Sequence, residues 1–294
     1  NMNNSGYMTI AIASGKGGTG KTTIATSLAY YLSERTNENV ALTDLDVEEP
    51  NSGLFMQGTK QDRQDIIKQI PEWNKEKCTL CNRCKEVCNF NAITLLPDRV
   101  LIFSELCHSC YACVELCPES ALEMKPVKSG EISYDKINKL NFIEGKINVG
   151  EQQAVPAIEE TKKYTTTVMK HGICLYDAPP GTSCPVIATT KDADYVILVT
   201  EPTPFGLHDL KLSVATMQKL NKSFGIIINR DGIGDEKVET FCEENNIQVL
   251  GKIPNSREIA ERYSRGETIW KIPRVESELK KIIESIKKEV AQVR

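Results

Sequence analysis

The stretch Ser14–Thr23, SGKGGTGKTT, restricts the fold more than any other part of the chain. Gly15 to Thr22 fit the pattern G-x4-G-K-[ST], and the apolar run Met8–Ala13 (MTIAIA) comes directly before it. Such a loop needs a buried strand on one side and a helix on the other. Its backbone N–H groups then wrap phosphate oxygens while the positive end of the helix points at the same place. The pattern predicts a strand over 8–13 and a helix from Thr22 to about Arg35, with Ile24, Leu28 and Tyr31 on one face. Gly15, Lys16, Gly17, Gly18, Thr19, Gly20, Lys21, Thr22 and Thr23 are the candidate phosphate-binding residues. Lys21 is suited to neutralise β- and γ-phosphates, and Thr22 to offer its hydroxyl to Mg²⁺.

Further strands follow the same grammar. VALTDLD (40–46) ends in carboxylates, and GICLYD (172–177), YVILVT (195–200), FGIIIN (224–229) and VLGKIP (249–254) read as buried strands separated mostly by helical segments. This alternation predicts an α/β fold with a mostly parallel sheet flanked by helices. Residues 73–127 break the alternation and contain no long periodic helix. They read as a small inserted domain, so the large domain is discontinuous, 1–72 and 128–294. No sheet strand is predicted between Asp46 and the first cysteine run.

The insert is internally duplicated. Cys78, Cys81, Cys84 and Cys88 recur as Cys107, Cys110, Cys113 and Cys117, each 29 positions later, and Ala92-Ile93 recurs as Ala121-Leu122 at the same shift. Such self-similarity points to two copies of one unit packed together. In a reducing compartment cysteines at this spacing serve as metal ligands rather than disulfides. Iron–sulfur clusters, four-thiolate zinc sites and unligated thiols are the possible uses.

The doubled C-x2-C-x2-C-x3-C pattern resembles the bacterial two-cluster ferredoxins, and the resemblance covers the insert. It implies one [4Fe–4S] cluster on Cys78, Cys81, Cys84 and Cys117, and a second on Cys107, Cys110, Cys113 and Cys88. Pro118 follows the second run as in that family, whereas Asn89 stands at the corresponding place in the first. His108 is read as a surface side chain beside a cluster, since four thiolates suffice.

The early lysine of SGKGGTGKTT makes the loop similar to the deviant Walker A motif of MinD/ParA-type ATPases, whose relatives include Mrp-type cluster carriers and the nitrogenase iron protein. The resemblance covers 7–60 and 129–294. It implies a homodimer formed on ATP binding, with Lys16 reaching the partner's nucleotide as an arginine finger does. DLDVEEPN (44–51) resembles the first switch, which implies that Asp46 orients the attacking water and that Asp44 helps near Mg²⁺. DAPPG (177–181) resembles the second switch, with Asp177 holding a metal-bound water. NRDG (229–232) lies where family members contact the base. Gly232 stands where guanine-specific enzymes carry a carboxylate, so the nucleotide is read as ATP, bordered by Asn229, Arg230 and Pro254. VTEPTPFGLHDL (199–210) is similar to the subset of these ATPases that carry an inserted ferredoxin domain.

Composition narrows the setting. The 294 residues carry a net charge of −4, with 40% hydrophobic and 26% charged residues, which is not the basic footprint of a nucleic-acid binder. No apolar run approaches the ~20 residues of a membrane span. NMNNSGY lacks a secretory signal pattern, so the expectation is cytoplasmic. Cys174 and Cys242 are read as packing residues, and Cys184, in the second switch, as a packing residue that could alternatively meet its copy across a dimer. The C-terminal segment places Val275, Leu279, Ile282, Ile286 and Val290 on one helix face. Lacking Trp or Phe anchors and a basic face, it is expected to dock on the sheet rather than on a membrane. The expected function is nucleotide-controlled use of the clusters in metal or iron–sulfur cofactor assembly. An ATP-gated electron donor to an unidentified client or redox partner, and a MinD-like positional scaffold, are the alternatives.

Overall fold

The computed structural model describes residues 6–293; the terminal positions of the predicted large domain, 1–5 and 294, lie outside the described residues, as does most of NMNNSGY. The chain forms a nine-stranded sheet flanked by helices. In order come β1 (Tyr7–Ala13), α1 (Lys21–Arg35), β2 (Val40–Asp44), β3 (Thr59–Trp73), α2 (Arg83–Glu86), β4 (Ile93–Leu95), β5 (Val100–Ile102), α3 (Ala112–Glu115), β6 (Leu122–Ile137), β7 (Leu140–Ile147), α4 (Ala154–Val168) and β8 (Gly172–Asp177). Then follow α5 (Cys184–Thr190), β9 (Tyr195–Thr200), α6 (Pro204–Lys219), β10 (Phe224–Asp231), α7 (Lys237–Glu244), β11 (Val249–Pro254), α8 (Arg257–Ser264) and α9 (Pro273–Val293).

The sheet order is β11-β10-β9-β1-β8-β2-β7-β6-β3. From β11 to β7 all pairings are parallel. The strands there are buried on both faces, which is why each reads as a continuous apolar run. The phosphate loop and the carboxylates of β2 and β8 sit at the carboxyl ends of this block, where open α/β sheets bind ligands. The expected α/β fold is borne out. One apolar layer joins β1, β2 and β8 to α1 and α9; Val275, Leu279, Ile282, Ile286 and Val290 of α9 are buried in it, so that helix docks on the sheet.

The other edge of the sheet departs from expectation. Between Asp46 and the first cysteine run lies β3, a strand of 15 residues that pairs antiparallel with β6 along its whole length. It was invisible because it is an edge strand with both faces largely exposed: TKQDRQDIIKQIPEW shows neither an apolar run nor clean alternation. β6 pairs with β7 only over Gly130–Ile137; residues 122–128 pair with β3 alone. The two strands therefore leave the sheet as a ribbon. A register irregularity at Ile66/Ile67, opposite Gly130, bends it at the exit. Gly130 is required there, because a Cβ would lie 2.4 Å from the Lys146 carbonyl oxygen. The cysteine-rich module occupies the tip, between Trp73 and Leu122, which pair with each other.

A two-stranded ribbon is marginal by itself in water. Here Lys68 fixes the module against the body, donating to the Ser104 carbonyl at 2.7 Å and pairing with Glu151. Gln153 Nε2 donates to the carbonyl of Cys107 from the loop before α4. Replacing residues 74–121 with Asn-Gly is expected to leave a cooperatively folding body with native far-UV circular dichroism. Amide exchange should become fast over 67–73 and 122–128 only; fast exchange throughout β1, β2 and β8 would show that the body depends on its insert.

Candidate functional site

Two groups of residues come together: a nucleotide cleft at the carboxyl ends of the parallel strands, and a pair of thiol-lined cavities at the ribbon tip. The cleft, about 470 Å³, is lined by Gly17, Gly18, Gly20, Lys21, Thr22, Thr23, Asp46, Asn229, Arg230 and Pro254. Gly20 has φ +90° and ends the loop against Asn229, whose Nδ2 would lie 2.1 Å from a Cβ at that place. Gly15 is not among the lining residues; it lets the loop pass the backbone of Asp209 in α6, where a Cβ would lie 2.4 Å from a carbonyl oxygen.

Lys21 is buried, its Nζ 3.8 Å from Asp177 Oδ1. That oxygen and the Thr19 hydroxyl are buried without a hydrogen-bond partner. A buried orphan carboxylate oxygen beside the phosphate-loop lysine fits a metal-bound water, so the residues present suit Mg²⁺ with Thr22 and Asp177 as its holders. Lys16 Nζ lies 3.8 Å from Glu201 Oε2, with its side chain one-third exposed. Glu201 also takes Arg230 at 2.6 Å.

Asp44 does a different job from the one expected. Its Oδ1 accepts the Asp46 N–H at 3.0 Å, and its Oδ2 accepts those of Asn51 (3.2 Å) and Ser52 (2.9 Å). It anchors the 46–52 loop rather than facing the cleft. The Ser52 hydroxyl donates to Asp177 Oδ2 at 3.0 Å, joining the two switch-like segments. Burial, then the Asp177 charge, raise the Asp44 carboxyl well above the usual range. Burial also pushes Asp46 up to about 6, against the opposing pull of Lys21.

Asn229 was expected beside the base. Its Nδ2 instead donates to the Thr19 carbonyl at 2.8 Å, so it clamps the phosphate loop while lining the cleft. Sequence reasoning missed the far wall: Phe55 and Tyr263, with ring centroids 5.5 Å apart, and Ser256, which caps α8. Phe55 follows the loop without a motif, and Tyr263 lies on a short polar helix, so no local signal marks either.

The eight insert cysteines sort into two sets. Cys78, Cys81, Cys84 and Cys117 line one small cavity, and Cys88, Cys107, Cys110 and Cys113 line another. The 29-residue repeat is present in the backbone as well. Asn74 N–H donates to Ala121 O at 2.9 Å, and Phe103 N–H to Ala92 O at 2.8 Å, the same bond with the copies exchanged. Left-handed residues recur at Leu80 and Ser109, Asn82 and Tyr111, Asn91 and Ser120. Among the described residues no three His, Cys, Asp or Glu side chains converge on a point where one ion could sit. Two of the sulfurs already receive amide donors: Leu80 N–H to Cys78 Sγ at 3.4 Å and Ala121 N–H to Cys117 Sγ at 3.3 Å. Burial pushes the Cys113 thiol up to about 11. His108 stacks on Phe90 at 3.8 Å. Cys174 and Cys242 are buried; Cys184 is exposed at the start of α5, where packing does not explain it.

A strand–glycine loop–helix cleft with a lysine and strand-end carboxylates defines a phosphate-loop nucleotide-binding domain. The chain belongs to the CobQ/CobB/MinD/ParA nucleotide-binding domain family, whose sequence profile matches residues 10–269. It is 34% identical over 286 residues to an uncharacterised Methanocaldococcus jannaschii protein, covering 95% of this chain and 96% of that one. It is also 30% identical over 132 residues to an iron–sulfur cluster carrier protein of Aquifex aeolicus, a match covering 40% of this chain and 36% of that one. In fold it resembles the septum site-determining protein MinD of Pyrococcus horikoshii, solved with Mg-ADP, at a TM-score of 0.58 and 18% identity over 96% of each chain. No helix among the described residues is long and apolar enough to cross a membrane.

Because Asp46 is held neutral up to about 6 when folded and ionises near 3.8 when unfolded, its ionised form costs stability. The cost is present at pH 7 and is relieved as pH falls through 6. Without nucleotide, Asp46→Asn is expected to melt higher than wild type at pH 7, and the two midpoints should converge as pH falls toward 4. A constant gap across that range would contradict this reading.

Proposed function

We propose that this chain is an ATP-hydrolysing iron–sulfur protein in which the nucleotide state of a homodimer sets the position of a two-cluster ferredoxin module, and that the module serves assembly of a metal or iron–sulfur cofactor in a client protein. One observation carries this reading. The 46–52 loop, bonded to Asp44 and linked through Ser52 to Asp177, runs on into β3, and the far end of β3 bears the cysteine module. The Val47 carbonyl also accepts the Ile147 N–H at 2.9 Å, so the loop grips the strand beside the ribbon. Movement of the loop at the γ-phosphate therefore pulls on both ribbon strands.

The roles of the cleft residues follow from their places. Lys21 and the loop amides hold the β- and γ-phosphates, and Asp46 orients the attacking water. Mg²⁺, when bound at Thr22 and near Asp177, supplies charge neutralisation on the phosphates. Lys16 is parked on Glu201 in the single chain. A long, partly exposed ion pair of this kind is weak, so the triphosphate of a second copy competes for the lysine. The partial likeness to an iron–sulfur cluster carrier supports the assembly role.

A second reading, ATP-gated electron donation to a partner, is favoured by one feature. Each cavity has its full quartet from this chain, with Cys107 and Cys113 buried. Clusters so held are resident groups rather than cargo.

Anaerobically reconstituted protein is expected to bind eight irons and to dimerise with Mg-ATP by light scattering. Its cluster EPR spectrum should change on adding ATP. Lys21→Ala should abolish hydrolysis. Lys16→Ala should keep nucleotide binding but lose about 10³-fold in turnover, as for loss of an arginine finger. A fully loaded protein that stays monomeric with ATP, with unchanged cluster spectra, would defeat the proposal. Transfer of iron and sulfide to an apo-acceptor, against ATP-stimulated reduction of a partner, separates the two uses.

A further inference from the structure

The duplication provides an internal comparison between its two halves, and at one place the halves differ in chemistry. Trp73, the last residue of β3, lines the cavity of Cys78, Cys81, Cys84 and Cys117 and packs among Cys78 and Cys84. One repeat later stands Ile102, which packs on the cluster of Ile70, Ala92 and Cys107. The two positions are structural equivalents, since the residues that follow them, Asn74 and Phe103, make the exchanged pair of bonds to Ala121 and Ala92. Aliphatic bulk satisfies the second site. The first carries an indole whose Nε1 is buried and has no hydrogen-bond partner. A buried N–H left unpaired costs free energy, and water does not reach this atom. The cavity it lines holds four thiols, those of Cys78, Cys81, Cys84 and Cys117, beside apolar side chains such as Leu95 and Leu122.

We propose that the Trp73 indole N–H donates a hydrogen bond to a sulfur of the cluster held by Cys78, Cys81, Cys84 and Cys117, and thereby makes that cluster the more easily reduced of the two. A hydrogen bond to a cluster sulfur withdraws charge and is strengthened when the cluster gains an electron, so it raises the reduction potential. The amide donors follow the repeat and act on both clusters, so they do not separate them. The polar side chains on the rim of the other cavity, His108 and Tyr111, are exposed and have water to bond to. Ile102 offers no donor. In the singly reduced chain the electron then resides on the Cys78-side cluster. That places it at the end of the module away from Cys107, whose carbonyl is tied by Gln153 to the loop before α4. This inference rests on the cluster reading above and adds a direction to it.

The test is a dithionite redox titration followed by EPR on wild type and Trp73→Phe, each first assayed for eight irons per chain. The variant keeps an aromatic ring and loses the donor. The expected result is that wild type titrates as two unequal clusters and that Trp73→Phe lowers the higher potential alone. At the wild-type midpoint the ratio of reduced to oxidised cluster should fall about tenfold, equivalent to about 59 mV for a one-electron couple. Both clusters unchanged at full iron content would overturn the hydrogen bond while leaving the cluster reading intact. Wild type that never binds eight irons would overturn the cluster reading, and this inference with it. Should Trp73→Phe fail to load iron, wild type labelled with ¹⁵N-indole tryptophan decides the matter. Singly reduced protein must show a ¹⁵N hyperfine coupling to the cluster spin, and its absence refutes the bond.

Discussion

Three carboxylates stand side by side across neighbouring strands: Asp44 and Asp177 at the carboxyl ends of β2 and β8, and Glu144 within β7 opposite Asp44. Parallel register forces this adjacency, and burial makes it expensive, because like charges in a low-dielectric interior repel with little screening. The chain meets the problem unevenly. Asp44 is enclosed by three backbone N–H groups of the following loop. Asp177 keeps one oxygen for Ser52 and leaves the other facing Lys21. The loop is thus held by a carboxylate whose own charge is contested. Any cation or phosphate arriving at Lys21 alters the field at Asp177, and through it the hold of Asp44 on the loop. The phosphate-loop lysine and the switch-like segment both meet at this row of acids, through Asp177 and Asp44.

The second constraint is topological. An insertion in the parallel block would leave buried strands without ladder partners, each unpaired N–H or C=O costing free energy. The chain inserts instead at the edge, where β3 and β6 pair with one another beyond the last shared bond with β7. The extra domain displaces nothing in the core, and the ribbon supplies its own hydrogen bonds. The edge strand β3 is polar and charged along its exposed length, which also discourages pairing with another sheet.

What the sequence made legible follows from where each residue's signal originates. The parallel strands were readable because both of their faces are buried and their composition is set by that burial alone. The phosphate loop and the cysteine quartets were readable because their chemistry needs fixed spacing; Cys117 lines one cavity with Cys78, Cys81 and Cys84. β3 was not readable, since an exposed edge strand has no composition that separates it from a loop. The bonds made by Asp44 and Asn229 were not readable for a different reason. A motif fixes which side chain stands at a strand end, but not whether its lone pairs or protons are already used by the neighbouring backbone, and both are. Phe55 and Tyr263, far apart in the chain, come together only through the tertiary fold.

The ribbon also explains why a duplicated module remains asymmetric. Two identical units related by a local two-fold would bind two equivalent clusters, and an electron would have no preferred seat. Attachment breaks the symmetry, because the two strands enter the module at one side only and bring the body's own residues with them. Trp73 arrives as the last residue of a strand that belongs to the sheet, whereas its counterpart Ile102 ends a short hairpin strand inside the module. Lys68 and Gln153 likewise touch only the second repeat, through Ser104 and Cys107. β3 thus reaches both halves, Trp73 lining one cavity and Pro71 the other, while Lys68 and Gln153 add contacts to the second repeat, and the halves differ in environment while keeping the same backbone. A free-standing module closed at its tip would lack the indole, the lysine and the glutamine at once, so the difference between its halves originates in the attachment rather than in the repeat.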